Sequence, residues 1–256
     1  MEGIYIFDAD THVSPYRNFD KSINAAQWEA KMDYAGVDQA IVWLLPQGVD
    51  DVTESNEYIG KAARQNRRMV PFGWANIREG LEKAKEDARK CMDEYGCVGV
   101  KLNGAQNEYD IDCPEAMSVM EVIAERKGVI AFHIGADYPE FTNPLRAERA
   151  ARAFPETSFL MVHMGGAGTP DVSESVIQVA ARNPNMYLVG SAIPVEKVKN
   201  ALDLLGPDRI LFGSDTPFYN AKEIISQYDR MLEDYSEDVK RKVMGENARK
   251  LFGLFE

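Results

Sequence analysis

The feature that most constrains the fold is an alternation along the chain. Short apolar runs rich in β-forming residues occur at 4–7, 40–45, 70–75, 98–102, 129–134, 158–162, 186–189 and 210–212. Segments with helical spacing and helical punctuation separate them. One such helix is expected from Thr53 as N-cap to the basic cluster Arg64, Arg67 and Arg68, where cations suit the negative end of the helix dipole. Another is expected to begin at Thr169-Pro170-Asp171. Eight units in 256 residues is about 32 residues each, the size of a βα unit. Two architectures accept this pattern, an open doubly wound sheet and a closed eightfold barrel. The open sheet usually shows a glycine fingerprint after its first strand. Here that strand runs into Phe7-Asp8-Ala9-Asp10-Thr11-His12-Val13-Ser14-Pro15, with neither GxGxxG nor a P-loop. The expectation is one (β/α)8 TIM barrel over 1–256, a typical length for that fold.

Composition narrows the class of function. The formal net charge of −12 repels phosphate backbones, which argues against a nucleic-acid partner. No apolar run approaches the ~20 residues that span a bilayer, and the N-terminus does not read as a signal peptide. The three cysteines, Cys91, Cys97 and Cys113, form no CxxC pair, so neither a disulfide framework nor a thiolate zinc site is expected and a cytoplasmic setting fits.

Ionisable groups gather where the apolar runs stop. Asp8, Asp10 and His12 follow the first run, Lys101 lies in Gly99-Val-Lys-Leu102, and His133 closes the fifth run. His163 closes the sixth and Asp215 the eighth, in Phe212-Gly-Ser-Asp215. All three histidines of the chain therefore sit at carboxyl ends of expected strands. Singly, each has a dull explanation: a hydrogen-bonded strand-end histidine, a capping aspartate, a lysine reaching solvent. In a barrel, however, these ends face one mouth, whereas in an open eight-stranded sheet they would spread over roughly 35 Å. Asp10 and His12 lie two residues apart and point the same way on an extended strand. With His133 and Asp215 they offer a mixed nitrogen and oxygen set suited to one divalent metal, zinc first, with manganese or iron also admitted.

At these residues the chain resembles the amidohydrolase superfamily, in particular its amidohydrolase-related group of hydrolases and non-oxidative decarboxylases. The resemblance runs from Phe7-Asp8-Ala9-Asp10-Thr11-His12 to Met244-Gly-Glu-Asn-Ala-Arg-Lys-Leu-Phe252, which looks like that group's closing helix. It implies Asp10, His12, His133 and Asp215 as metal ligands, and His163 as a catalytic residue beside the metal. The usual His-x-His after the first strand is here Asp10-Thr11-His12. That departure keeps metal binding and weakens a two-metal hydrolytic site. Lys101 stands where binuclear relatives carry a bridging lysine, and it is read instead as a holder of a substrate carboxylate.

The leading expectation is a metal-dependent hydrolase of a lactone, amide or similar carbonyl, with Asp215 as general base. The alternative is a metal-dependent non-oxidative decarboxylase of an aromatic or unsaturated acid, which Asp10-x-His12 favours and the short chain disfavours. The alternative of another class is a barrel that binds a ligand without turning it over. The partner is expected to be an anionic small molecule held by Lys101, Arg17 and Asn103, and a homodimer is left open. Tyr16, Asn76, Tyr138 and Ser191 are also expected near the mouth, while Trp28, Trp43 and Trp74 are read as core.

Overall fold

The computed structural model describes residues 1, 3–16, 19–45, 51–135 and 137–254. Its strands are β1 (Phe7–Asp8), β2 (His12–Val13), β3 (Gln39–Leu44), β4 (Met69–Pro71), β5 (Gly73–Ala75), β6 (Gly99–Leu102), β7 (Val129–His133), β8 (Phe159–Val162), β9 (Met186–Val189) and β10 (Ile210–Leu211). Every paired ladder is parallel. β1 and β2 both pair with β3 and act as one interrupted strand, as do β4 and β5 on either side of Phe72. The ten short strands thus make the eight expected rungs.

The chain folds as a TIM barrel. Hydrogen bonds join the last rung to the first: Ala9 N donates to Phe212 O at 2.9 Å, Asp215 N to Asp10 O at 2.9 Å and His12 N to Thr216 O at 2.7 Å. Side chains alternate between two apolar clusters. Phe7, Ile41, Trp43, Phe72, Ala131, Leu160 and Val189 fill the interior. Val42, Val100, Phe132, Met161 and Leu188 face the helices. Being buried on both faces, the strands read as continuous apolar runs. Phe252, after the short closing helix Asn247–Leu251, plugs the bottom against Phe7 and Phe72, with ring centroids 5.8 and 6.2 Å away.

The helices are amphipathic covers. Leu81–Asp93 buries Ala84, Asp87, Ala88 and Cys91, a 3–4 spacing that lays one stripe on the barrel. Two helix starts differ from expectation. Helix Val52–Gln65 is capped by Asp51, whose carboxylate accepts from Thr53 N at 2.7 Å, so Thr53 lies inside the first turn. The sixth long helix runs Ser173–Arg182, leaving Pro170 before it, and Asp171 accepts from Ser173 N. In both cases an aspartate accepts from an amide two residues on; Asp51 is itself the N-cap, whereas Asp171 stands just before the N-cap Val172, whose side chain makes no cap bond. No helix among the described residues is long and apolar enough to cross a membrane.

Candidate metal and substrate site

Inward alternation carries the apolar interior up into a polar mouth. Val129, Ala131 and His133 point inward in turn, as do Gly99 and Lys101, then Val189 and Ser191, then Leu211 and Asp215 by steps of two. A cavity of about 360 Å³ opens there, lined by His12, Lys101, Asn103, His133, His163 and Asp215 among others. Asp10 is fully buried beneath it. The structure therefore brings together the expected metal, catalytic and substrate-holding residues except Arg17, which lies outside the described residues, whereas Tyr16, Asn76 and Tyr138 do not line this cavity.

Asp10, His163 and Asp215 each offer one ligand atom within 4.8 Å of the others. His12 Nε2 joins them, 3.6 Å from Asp10 Oδ1 and 3.5 Å from Asp215 Oδ1. The expected grouping placed His133 with the carboxylates and His163 apart; here His163 stands nearer them. His133 Nε2 lies 3.2 Å from Asp137 Oδ2, and the His133 ring packs edge-on against His163 at 4.7 Å.

The partners of these groups define which atoms face the cavity. His12 Nδ1 is 2.6 Å from Leu44 O, a pure acceptor, so Nδ1 carries the hydrogen and Nε2 keeps its lone pair. The indole N–H of Trp43 donates to that lone pair at 3.2 Å. Asp10 Oδ2 accepts from Ser191 Oγ at 2.5 Å, while Oδ1 is buried with no hydrogen-bond partner. A buried carboxylate oxygen without a donor, facing an imidazole lone pair and a second carboxylate, fits a divalent cation.

Burial shapes the electrostatics. It pushes His163 down to about 4, helped by neighbouring His133, so the imidazole is uncharged at neutral pH. Burial would raise Asp10, but His163, Lys101, His12 and the Ser191 hydroxyl together hold it below the usual carboxylate range. Asp8, one layer deeper, is pushed up to about 7 by burial, against hydrogen bonds from Ser214 and from the Asp10 amide. Lys101 is lowered by burial, with Asp10, Asp215 and Asp137 opposing. Its ammonium sits 3.9 Å from the Trp43 ring centroid and 5.0 Å from that of Trp74. It makes no ion pair at close range with a carboxylate among the described residues.

Backbone strain gathers at the same place. His163, Ala192 and Asp215 have φ of 68°, 54° and 56°, left-handed values that L-residues avoid unless the surroundings enforce them. Gly135 (φ 78°) is required where the loop after β7 crosses Gly165, because a Cβ there would stand 2.3 Å from the Gly165 Cα.

The other expected residues have varied fates. Asn103 lines the cavity, but its side chain caps the short helix Gly104–Asn107 and bonds Gln106 Oε1 at 2.6 Å. Asn76 caps Ile77–Glu79. Trp28, Trp43 and Trp74 are all buried core residues, as expected, and Trp43 and Trp74 in addition contact the site. Lys21, Gln106, Asp137, Phe218 and Tyr219 also line the cavity and carry no motif. Only the position of Lys21 after the first strand and of Phe218 after Asp215 hints at them.

A family model described as amidohydrolase matches residues 8–254. A curated relative, 2-amino-3-carboxymuconate-6-semialdehyde decarboxylase of Dictyostelium discoideum, is 21% identical over 252 residues, covering 83% of this chain and 69% of that protein. The solved 5-carboxyvanillate decarboxylase of Novosphingobium aromaticivorans, complexed with manganese and 4-hydroxy-3-methoxy-5-nitrobenzoic acid, has a TM-score of 0.77 and 16% identity, over 98% of this chain and 97% of that one. The 2,6-dihydroxybenzoate decarboxylase from Rhizobium has a TM-score of 0.75 and 16% identity, over 98% and 99%. These relatives are decarboxylases, and they correct the expectation of a lactone or amide hydrolase. The length of this chain is no obstacle to decarboxylation, because its fold matches 99% and 97% of the two solved decarboxylases. Matched by that model along almost its entire length, the chain belongs to the amidohydrolase family.

Proposed function

We propose that the protein is a metal-dependent, non-oxidative decarboxylase of a small aromatic or unsaturated carboxylic acid. The observation that carries this reading is Lys101: an ammonium buried to 1% exposure between two indoles, lining the cavity and lacking a carboxylate partner at ion-pair distance among the described residues. A buried cation is costly unless an anion meets it, and a carboxylate substrate is such an anion. A neutral lactone or amide would leave it with only the more distant attraction of Asp10, Asp215 and Asp137.

Asp10, His12, Asp215 and one of His133 or His163 would hold the metal, manganese or zinc. Once bound there, it would supply Lewis-acid charge to an anionic substrate and to the electron pair left behind by departing carbon dioxide. Lys101 holds the carboxylate from the wall. Asp215, at the cavity surface, delivers a proton to the carbon that bore the carboxylate. The electrons of the breaking C–C bond return to the substrate framework, and solvent reprotonates Asp215. With His133 as the fourth ligand, His163, neutral and buried, is left to accept a hydrogen bond from the substrate through Nε2.

The test is product analysis with 2,6-dihydroxybenzoate and 5-carboxyvanillate, with manganese or zinc supplied. The expected result is carbon dioxide and, in deuterated water, one deuterium on the product carbon, with loss of turnover in Asp215→Asn or after chelation. Full activity in chelated protein, or failure to release carbon dioxide from any carboxylic acid of this class, overturns the reading.

A further inference from the structure

Ser191 lies two residues past the last β9 residue and is fully buried. Its hydroxyl stands between two site groups. Oγ donates to Asp10 Oδ2 at 2.5 Å and stands 3.0 Å from His163 Nδ1. The Ser191 carbonyl is 3.2 Å from the same nitrogen. Asp10 Oδ2 and His163 Nδ1 themselves are 3.7 Å apart.

Counting hydrogens orders the chain. A serine hydroxyl has one hydrogen, and a carboxylate can only accept, so that hydrogen goes to Asp10. Both Ser191 atoms then left facing Nδ1 are acceptors, so Nδ1 must carry a hydrogen. The sequence of donation is His163 Nδ1–H to Ser191 Oγ–H to Asp10 Oδ2. This fills Oδ2 and leaves Oδ1, the partnerless oxygen, for the site. It also leaves the lone pair of His163 on Nε2. The arrangement is rigid: a Cβ added at Gly213 would stand 3.1 Å from the Cβ atoms of both Asp10 and Ser191. Ala192 and His163, flanking the contact, both hold left-handed φ values.

We propose that Ser191 is the positioning residue of this site, which commits Asp10 to binding through Oδ1 and His163 to acting through Nε2. Without the hydroxyl, His163 and Asp10 are free to pair directly, and the carboxylate turns from the cavity toward the imidazole. The inference rests on the reading of Asp10 as a metal ligand, so the experiment separates the two.

With only three histidines in the chain, selectively 15N-histidine-labelled protein gives three ring systems, and His163→Gln assigns one of them. In zinc-loaded wild type, His163 is expected as the Nδ1–H tautomer; the Nε2–H tautomer overturns the proposal without any serine variant. Ser191→Ala is expected to shift the His163 Nδ1 resonance and to weaken manganese or zinc binding ten- to a hundredfold, read by competition with a chromophoric chelator. Its thermal midpoint should stay within a few degrees of wild type. Wild-type metal affinity in Ser191→Ala overturns the assignment to Ser191 when Asp10→Asn does weaken binding. Wild-type affinity in Asp10→Asn overturns the metal-centre reading itself.

Discussion

Replacing Lys101 with methionine should make the protein more stable and worse at its work. The side chain keeps nearly the same volume, is one atom shorter, and loses its charge and its N–H donors. The cation–π approaches to Trp43 at 3.9 Å and Trp74 at 5.0 Å, together worth about 0.5–2 kcal/mol, are lost, as is the longer-range attraction of Asp10, Asp215 and Asp137. Against this, an ion at 1% exposure no longer has to be held out of water, a relief of several kcal/mol per buried ion. The second term is the larger, and methionine packs well between aromatic rings. The expected net gain is ~1–3 kcal/mol, which in a chain of this size raises the thermal midpoint by a few degrees. Binding moves the other way. A hydrogen bond to a charged group contributes about 1.5–3 kcal/mol, so affinity for an unreactive aromatic carboxylate should fall roughly ten- to a hundredfold. Differential scanning calorimetry and isothermal titration on the same preparation read both effects. A lower midpoint with unchanged carboxylate affinity would refute the reasoning, because it would make the ammonium a structural element and not a receptor.

Three further outcomes follow from the same contacts. Trp43→Phe removes the donor that shares the His12 Nε2 lone pair with any metal, and a net hydrogen bond of ~1 kcal/mol predicts about fivefold tighter zinc binding in a chelator competition; weaker binding would mean the indole orients His12. Glu148, held down to about 2 chiefly by its two 2.6 Å bonds from Arg182, has a folded pKa below its unfolded one. Its contribution is therefore complete above about pH 4.5 and disappears as pH falls toward 2, so Glu148→Gln should flatten the acid limb of the stability curve there, and an unchanged slope would count against it. Gly135→Ala forces a Cβ into the Gly165 backbone at a left-handed φ, which should displace the His163 turn and reduce metal affinity along with stability; a crystal structure with an unmoved turn would contradict this.

Much of the barrel was legible because parallel strands buried on both faces leave unbroken apolar runs, and seven of the eight runs overlie the strands closely. The first did not. It was placed at 4–7, whereas pairing begins at Phe7 and resumes at His12, because the polar residues of the mouth are themselves strand residues. The histidines and Asp215 were legible from where the runs stop. Trp43 was not, since nothing in an apolar run distinguishes an indole that fills space from one that aims its N–H at an imidazole. Lys21, Asp137 and Phe218 come from loops, whose placement depends on contacts remote in sequence. Hydrolysis and decarboxylation differ in what enters the cavity; Asp10-x-His12 leans toward the second, but the rest of the shared metal-site motif does not encode the difference.

The seam between the first and last rungs has a consequence for how this protein fails. Asp10 and His12 belong to one terminus and Asp215 to the other, and the bonds zipping those termini run between these very residues or their neighbours. An ion gripping Asp10 and Asp215 would therefore close a loop of most of the polypeptide, restraining the unfolded chain much as a cross-link does. The same arrangement makes the mouth the first casualty of fraying: the first rung would take Asp10 and His12 with it and the last rung Asp215, while the middle rungs stay paired. On gentle heating, ligand affinity should decay before the helical signal does, and a nascent chain can acquire a working cavity only once its final strand has docked.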